Sequence, residues 1–240
     1  MTSFETVGDV HVAPNLEELT DAAADWILTR IRGVLAERER CSIALSGGAT
    51  PGPVYRRLAQ DALDNRYDGS RLDLFLADER CVPPDDEDSN AGLVREHWLD
   101  IDPRPTFVRP RGEAADHVQE AGVYAGKLPD ALDLVVLGIG PDGHTASLFP
   151  GSDAVREAER RVVYVGDSPK PPPERWSLSP RALDDARELV TIVAGAAKSD
   201  ALARALESPW NPLETPAQLA RRGTWFVDAE AASALTRQSR

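Results

Sequence analysis

The feature that most constrains this chain is a set of short, unbroken aliphatic runs, each followed by a glycine- or acid-rich turn and then an amphipathic stretch. The clearest is Leu132–Leu137, interrupted only by Asp133 and ending in Gly138-Ile139-Gly140-Pro141-Asp142-Gly143-His144. A strand apolar on both faces must be covered on both faces, which antiparallel hairpins with one wet side do not require. Cys41–Leu45, Leu72–Ala77, Val162–Val165 and Leu189–Ala194 read the same way, and Val7–Val12 and Trp225–Val227 add a first and a last strand.

Between them the period changes to that of a helix. Asn15 is placed to cap a long helix whose apolar positions are Leu16, Leu19, Ala23, Trp26, Ile27, Val34 and Leu35. A second helix is expected with Val54, Tyr55, Leu58 and Leu63 inward, and a third, capped by Ser89 or Asn90, through Leu93, Val94 and Trp98. Glu113–Leu128, Pro180–Arg187, Ala196 to Glu207 and Ala229–Leu235 complete the helices, while Ser168–Glu174 is too proline-rich for either regular element. Alternating strands and helices predict an α/β fold with a mainly parallel, Rossmann-like sheet covered by helices on both faces. No composition shift divides the 240 residues, so one domain over 1–240 is expected.

Charge narrows the function classes. The formal net charge is −13, the wrong sign for a nucleic-acid binder. A small anionic substrate remains compatible, provided cations are gathered locally. Only three of the 27 basic residues are lysines, Lys127, Lys170 and Lys198, so lysine positions are informative. Cys41 and Cys81 form neither a disulfide framework nor a zinc motif. The N-terminal MTSFETVGDV lacks the basic and apolar regions of a secretory signal. No apolar run approaches the ~18 residues of a membrane span. The expectation is a cytoplasmic protein with no membrane partner, and a monomer.

Ligands of open α/β sheets bind at the carboxyl ends of the strands. Three such ends are unusual here. Ser46-Gly47-Gly48-Ala49-Thr50-Pro51 follows a strand and opens a helix; its glycines admit a ligand to the backbone, and Ser46 and Thr50 add hydroxyls. It lacks the lysine of a Walker loop. Asp78-Glu79-Arg80 sets a carboxylate and a guanidinium at a strand tip. The third turn ends in His144, a residue suited to proton transfer near neutrality, with Asp142 two positions earlier to orient it. Arg175 follows the proline run, and Lys198, in the first turn of a helix, opposes the helix dipole, which hints at a bound anion or a nearby carboxylate.

SGGATP, DERCVPPDDEDSN, LDLVVLGIGPDGHTASLFPGS, SPKPPPERWSLSPRAL and VAGAAKSDAL, in this order, resemble the 6-phosphogluconolactonases over about residues 40 to 228. The resemblance implies a fold like that of glucosamine-6-phosphate deaminase and hydrolysis of 6-phospho-D-glucono-1,5-lactone without metal or organic cofactor. It implies that His144 is the general base, with Asp78 and Arg80 beside it. Ser46, Gly47, Gly48, Thr50, Arg175 and Lys198 would hold the phosphate and neighbouring hydroxyls. Two other readings compete. Glucosamine-6-phosphate deaminases resemble the same loops but carry a Glu five residues past the histidine, where this chain has Phe149, and a DEY-like motif where it has Arg80. A sugar-phosphate sensor of a transcription regulator would need a DNA-binding segment, for which the acidic chain shows no basic helical candidate.

Overall fold

The computed structural model describes residues 7–236. Its strands are β1 (Val10–Ala13), β2 (Cys41–Leu45), β3 (Leu72–Leu76), β4 (Asp78–Arg80), β5 (Thr106–Phe107), β6 (Leu134–Leu137), β7 (Val162–Val165), β8 (Arg175–Leu178), β9 (Glu188–Val193) and β10 (Thr224–Asp228). The helices are α1 (Leu16–Glu37), α2 (Gly52–Leu63), α3 (Asn90–Val94), α4 (His117–Ala125), α5 (Pro180–Asp185) and α6 (Ser199–Glu207). Seven strands form one sheet in the order β1-β10-β9-β6-β2-β3-β5, every described pairing parallel. The expected doubly covered parallel sheet is therefore present.

Period-two alternation splits this sheet's side chains between two cores. Ile43, Leu45, Leu134, Val136 and Ile192 join Leu19, Ile27 and Ile31 of α1 and Val54, Tyr55 and Leu58 of α2. Ala44, Val135, Leu137, Leu189 and Val193 face the other way, against Leu183 of α5, Leu202 of α6 and Trp176 of β8. Each fully buried aliphatic side chain contributes roughly 1.5–3 kcal/mol. Asp133, the one charge in the β6 run, is tied down at the far end from the turns. It accepts from Ser42 N–H and Oγ–H, both at 2.9 Å, and pairs with Arg38 and, at 3.3 Å, with Arg187.

Local chemistry fixes the ends. Asn15 accepts from Glu18 N–H at 2.9 Å and donates back to the Glu18 carboxylate, starting α1. Ser89 caps α3, which runs into a π-helical turn at Arg95–Leu99 that completes the expected segment to Trp98.

Several expectations need correction. The small antiparallel sheet β4-β8-β7 was not foreseen: Asp78-Glu79-Arg80 is a strand paired with Ser177, Trp176 and Arg175, not the tip of β3 alone. A single-residue break at Ala77 lets the chain leave the parallel sheet, and Leu178 N–H donates to Ala77 O at 2.7 Å to join the sheets. The expected first strand Val7–Val12 is Val10–Ala13, and the helix expected over Glu113–Leu128 is His117–Ala125 because Asp116 caps it through Gln119 N–H. The helix expected over Pro180–Arg187 stops at Asp185. Ala196–Lys198 is a 3₁₀ turn ahead of α6, and the last expected helix is only a 3₁₀ turn, Ala231–Ala234. Leu16 and Leu63, read as inward, are exposed. Among the described residues no helix is long and apolar enough to cross a membrane.

Candidate active site

The carboxyl ends of β2, β6 and β9 and the edge of the small sheet enclose a cavity of about 340 Å³. The residues assigned a catalytic or phosphate-binding role from the sequence all line it except Asp142, which stands behind His144. The loop after β2 forms one wall. Ser46 is buried there, and its hydroxyl has no hydrogen-bond partner among the described residues. Gly47 is required by its neighbour: a Cβ would lie 1.7 Å from Asn90 Oδ1.

Opposite stands β4, whose three side chains diverge. Asp78 is buried and accepts from Ser147 Oγ–H at 2.8 Å and from Asn90 Nδ2–H at 3.3 Å. Arg80 donates from Nη1 to Asn90 Oδ1 at 2.7 Å and to Asp88 O at 2.6 Å, while its buried Nε has no partner among the described residues. Glu79 turns away from the cavity. Its carboxylate accepts from the N–H groups of Arg80, Asn90 and Ala91 at 2.7–2.8 Å and from Ser89 Oγ–H at 3.1 Å. Burial pushes this carboxyl up, partly countered by those N–H groups. Glu79 is thus the fixture that seats Asn90 on Asp78 and Arg80. Glu79→Ala should cost about 3 kcal/mol of stability, since buried N–H groups lose their acceptor; urea unfolding that matches wild type would contradict this role.

His144 sits on the floor. Its Nδ1 lies 2.5 Å from Asp142 Oδ1, and its ring packs on Phe149 at 4.7 Å between centroids. The close approach of the turn needs Gly140, where a Cβ would fall 2.0 Å from the imidazole. An ionised carboxylate only accepts, so the contact puts a proton on Nδ1; in the neutral ring the lone pair then falls on Nε2. Burial pushes the Asp142 carboxyl up, but the His144 hydrogen bond and the His144 and Lys170 charges win and hold it well below the usual carboxylate range.

Cations complete the lining. Among the described residues the Lys198 ammonium has no ion pair or hydrogen bond, and burial together with the Lys170 charge lowers the proton affinity of its amine. Arg175 is buried, its proton affinity lowered by burial and by Arg80. It lines the cavity but donates from Nε and Nη2 to carbonyls of the proline-rich segment. Three features escaped the sequence reading: Asn90, which bridges Asp78 and Arg80; Ser147, which fixes Asp78; and Lys170, 3.2 Å from His144 Nδ1. Lys170 was noticeable as a rare lysine inside a proline tract, but nothing local showed where it points. Among the described residues no group of three or more His, Cys, Asp or Glu side chains could hold a metal ion.

A sequence profile described as glucosamine-6-phosphate isomerases/6-phosphogluconolactonase matches residues 14–227. The chain belongs to this family. Family relatives include the 6-phosphogluconolactonase of Streptomyces coelicolor, 36% identical over 92% of this chain and 92% of that protein. The human 6-phosphogluconolactonase is 38% identical over 95% of this chain and 94% of its own. The solved 6-phosphogluconolactonase of Trypanosoma brucei superposes with a TM-score of 0.84 at 28% identity, covering 97% of this chain and all of that one. A monomeric glucosamine-6-phosphate deaminase, 22% identical with a TM-score of 0.80, covers 94% of this chain and 99% of its own and shares the fold. Within the family fold, the position where deaminases are expected to carry an acid is Phe149, here an apolar plate beneath the imidazole.

Proposed function

We propose that this chain is a 6-phosphogluconolactonase that opens 6-phospho-D-glucono-1,5-lactone to 6-phospho-D-gluconate, the second step of the oxidative pentose phosphate pathway, with His144 as the base. The observation that carries the reading is the Asp142–His144 hydrogen bond at the floor of a cavity lined by Arg80, Arg175 and Lys198. A lactone is an activated ester, so water suffices as nucleophile. Nε2 of His144 takes a proton from water as its oxygen bonds to C1, and the carbonyl electron pair moves onto oxygen. Collapse of that tetrahedral centre breaks the bond from C1 to the ring oxygen, which receives the proton back from the imidazolium. Asp142 stabilises the transient imidazolium through Nδ1. Arg80, whose guanidinium lines the cavity across from His144, is the donor assigned to the oxyanion. Lys198, the free nitrogen of Arg175 and the loop 46–50 receive the phosphate, whose binding energy orients the reacting carbon.

Purified protein should therefore accelerate loss of the phosphorylated lactone above its spontaneous opening, and a chelator should leave the excess rate unchanged. Absence of an excess rate, or a rate abolished by the chelator, would refute this. Ammonia release from glucosamine 6-phosphate would favour the deaminase reading.

A further inference from the structure

The proline-rich segment between β7 and β8 has no part in the steps above, yet its course is fixed by polar contacts. Ser168 N–H donates to Pro173 O at 3.0 Å. Ser168 Oγ donates to Lys170 O at 2.9 Å and accepts from Lys170 N–H at 3.2 Å. Arg175 closes the turn, with Nε on Pro172 O at 2.9 Å and Nη2 on Pro171 O at 2.9 Å and Lys170 O at 3.2 Å. Prolines have no N–H to offer in exchange, so these carbonyls draw on a side chain. The outcome is a strap with Lys170 held at its apex.

The Lys170 side chain points at the histidine turn. Nζ lies 3.4 Å from Asp142 Oδ1 and 3.2 Å from His144 Nδ1. Nδ1 has one proton position and cannot both donate to Asp142 and accept from Lys170. The 2.5 Å contact with Asp142 takes it, so the ammonium pairs with the carboxylate and stands as a like charge beside any imidazolium.

We propose that Lys170 is a positioning residue for His144, its ammonium anchoring the Asp142 carboxylate and opposing a second proton on the imidazole. The proposal rests on His144 being the base. The charged groups around the ring come from several elements. Asp142 is on its own turn and Lys170 on the strap. Arg175 of β8 lies beyond Phe149, 5.6 Å from that ring. Lys198, before α6, interacts electrostatically with Lys170 and Asp142. Arg204 of α6 reaches Pro141 O at 3.2 Å, and Asp78 and Arg80 stand across the cavity. Asp142 is the carboxylate in contact with the ring, so loss of Lys170 leaves it free to draw a proton onto the imidazole.

The test compares Lys170→Met, Lys170→Arg and His144→Ala for kcat, KM and their pH dependence, with thermal unfolding as a check on folding. For Lys170→Met, kcat should fall about 10-fold through lost orientation, with KM within about twofold of wild type. Its acid limb should move to higher pH, because the cation beside the ring is gone. Lys170→Arg should recover most of the kcat and the original limb. A raised KM with unchanged kcat would overturn the proposal, because Lys170 would then hold substrate. So would equal kcat losses in both Lys170 variants with an unmoved limb, because Lys170 would then only shape the strap. Inactive His144→Ala beside unchanged Lys170→Met would overturn this proposal alone; active His144→Ala would overturn the base itself.

Discussion

Replacing His144 with alanine is expected to lower kcat about 10²- to 10⁴-fold, the usual contribution of a general base. The side chain is fixed on three sides, by Asp142 at Nδ1, by Phe149 against its face and by the backbone at Gly140. Removing it opens space without leaving an unmet buried carboxylate, because Lys170 still pairs with Asp142. The fold and the affinity for 6-phosphogluconate should survive, since the cations assigned to phosphate lie elsewhere on the cavity. Protonation on acidification disables a neutral base, so wild-type kcat should fall toward low pH and the variant should lack that limb. Substantial retained activity, or an identical acid limb, would move the role to another group. Asp78 is the next candidate, although Ser147 and Asn90 already occupy both of its oxygens.

The second large effect concerns the cations. Lys198→Ala should reduce kcat/KM for the phosphorylated lactone about 10- to 150-fold, the equivalent of one charge-assisted hydrogen bond. Unphosphorylated gluconolactone, without the anion, should be nearly indifferent. Arg175→Ala should differ in kind. It removes a cation from the lining and also the donors that hold the carbonyls of Lys170, Pro171 and Pro172. Losses on both substrates are therefore expected for Arg175→Ala and on the phosphorylated one alone for Lys198→Ala. Equal losses on both substrates for Lys198→Ala would show that its ammonium acts away from the phosphate.

The contrast between these cations shows what was legible in the sequence. The parallel sheet could be read because β2, β6 and β9 are apolar on both faces, a pattern few other architectures tolerate. The loops at 46–51 and 138–144 could be read because glycine, serine and histidine sit where strands end. The helix boundaries were less legible: Asp116, not Glu113, caps α4, and both positions look acidic. β4 was hidden for a different reason. Asp78-Glu79-Arg80 has no apolar pattern of its own and becomes a strand only because β8, nearly a hundred residues later, pairs with it. Glu79 and Arg80 then face opposite environments that spacing does not foretell. Lys170 was equally hidden, since its direction depends on Arg175 folding the strap.

The cavity also has consequences for how the protein acquires activity. Its walls come from Ser46, Asp78, Asn90, His144, Arg175 and Lys198, spread across most of the chain, and from two sheets joined at Ala77 and Leu178. No single hairpin or helical unit carries a working fragment of it. Closing such distant loops is slow and entropically costly, and the reward comes only when the last partner docks. During refolding from denaturant, catalytic activity should consequently return after helical signal and hydrophobic collapse, in step with the docking of the antiparallel sheet that buries Trp176.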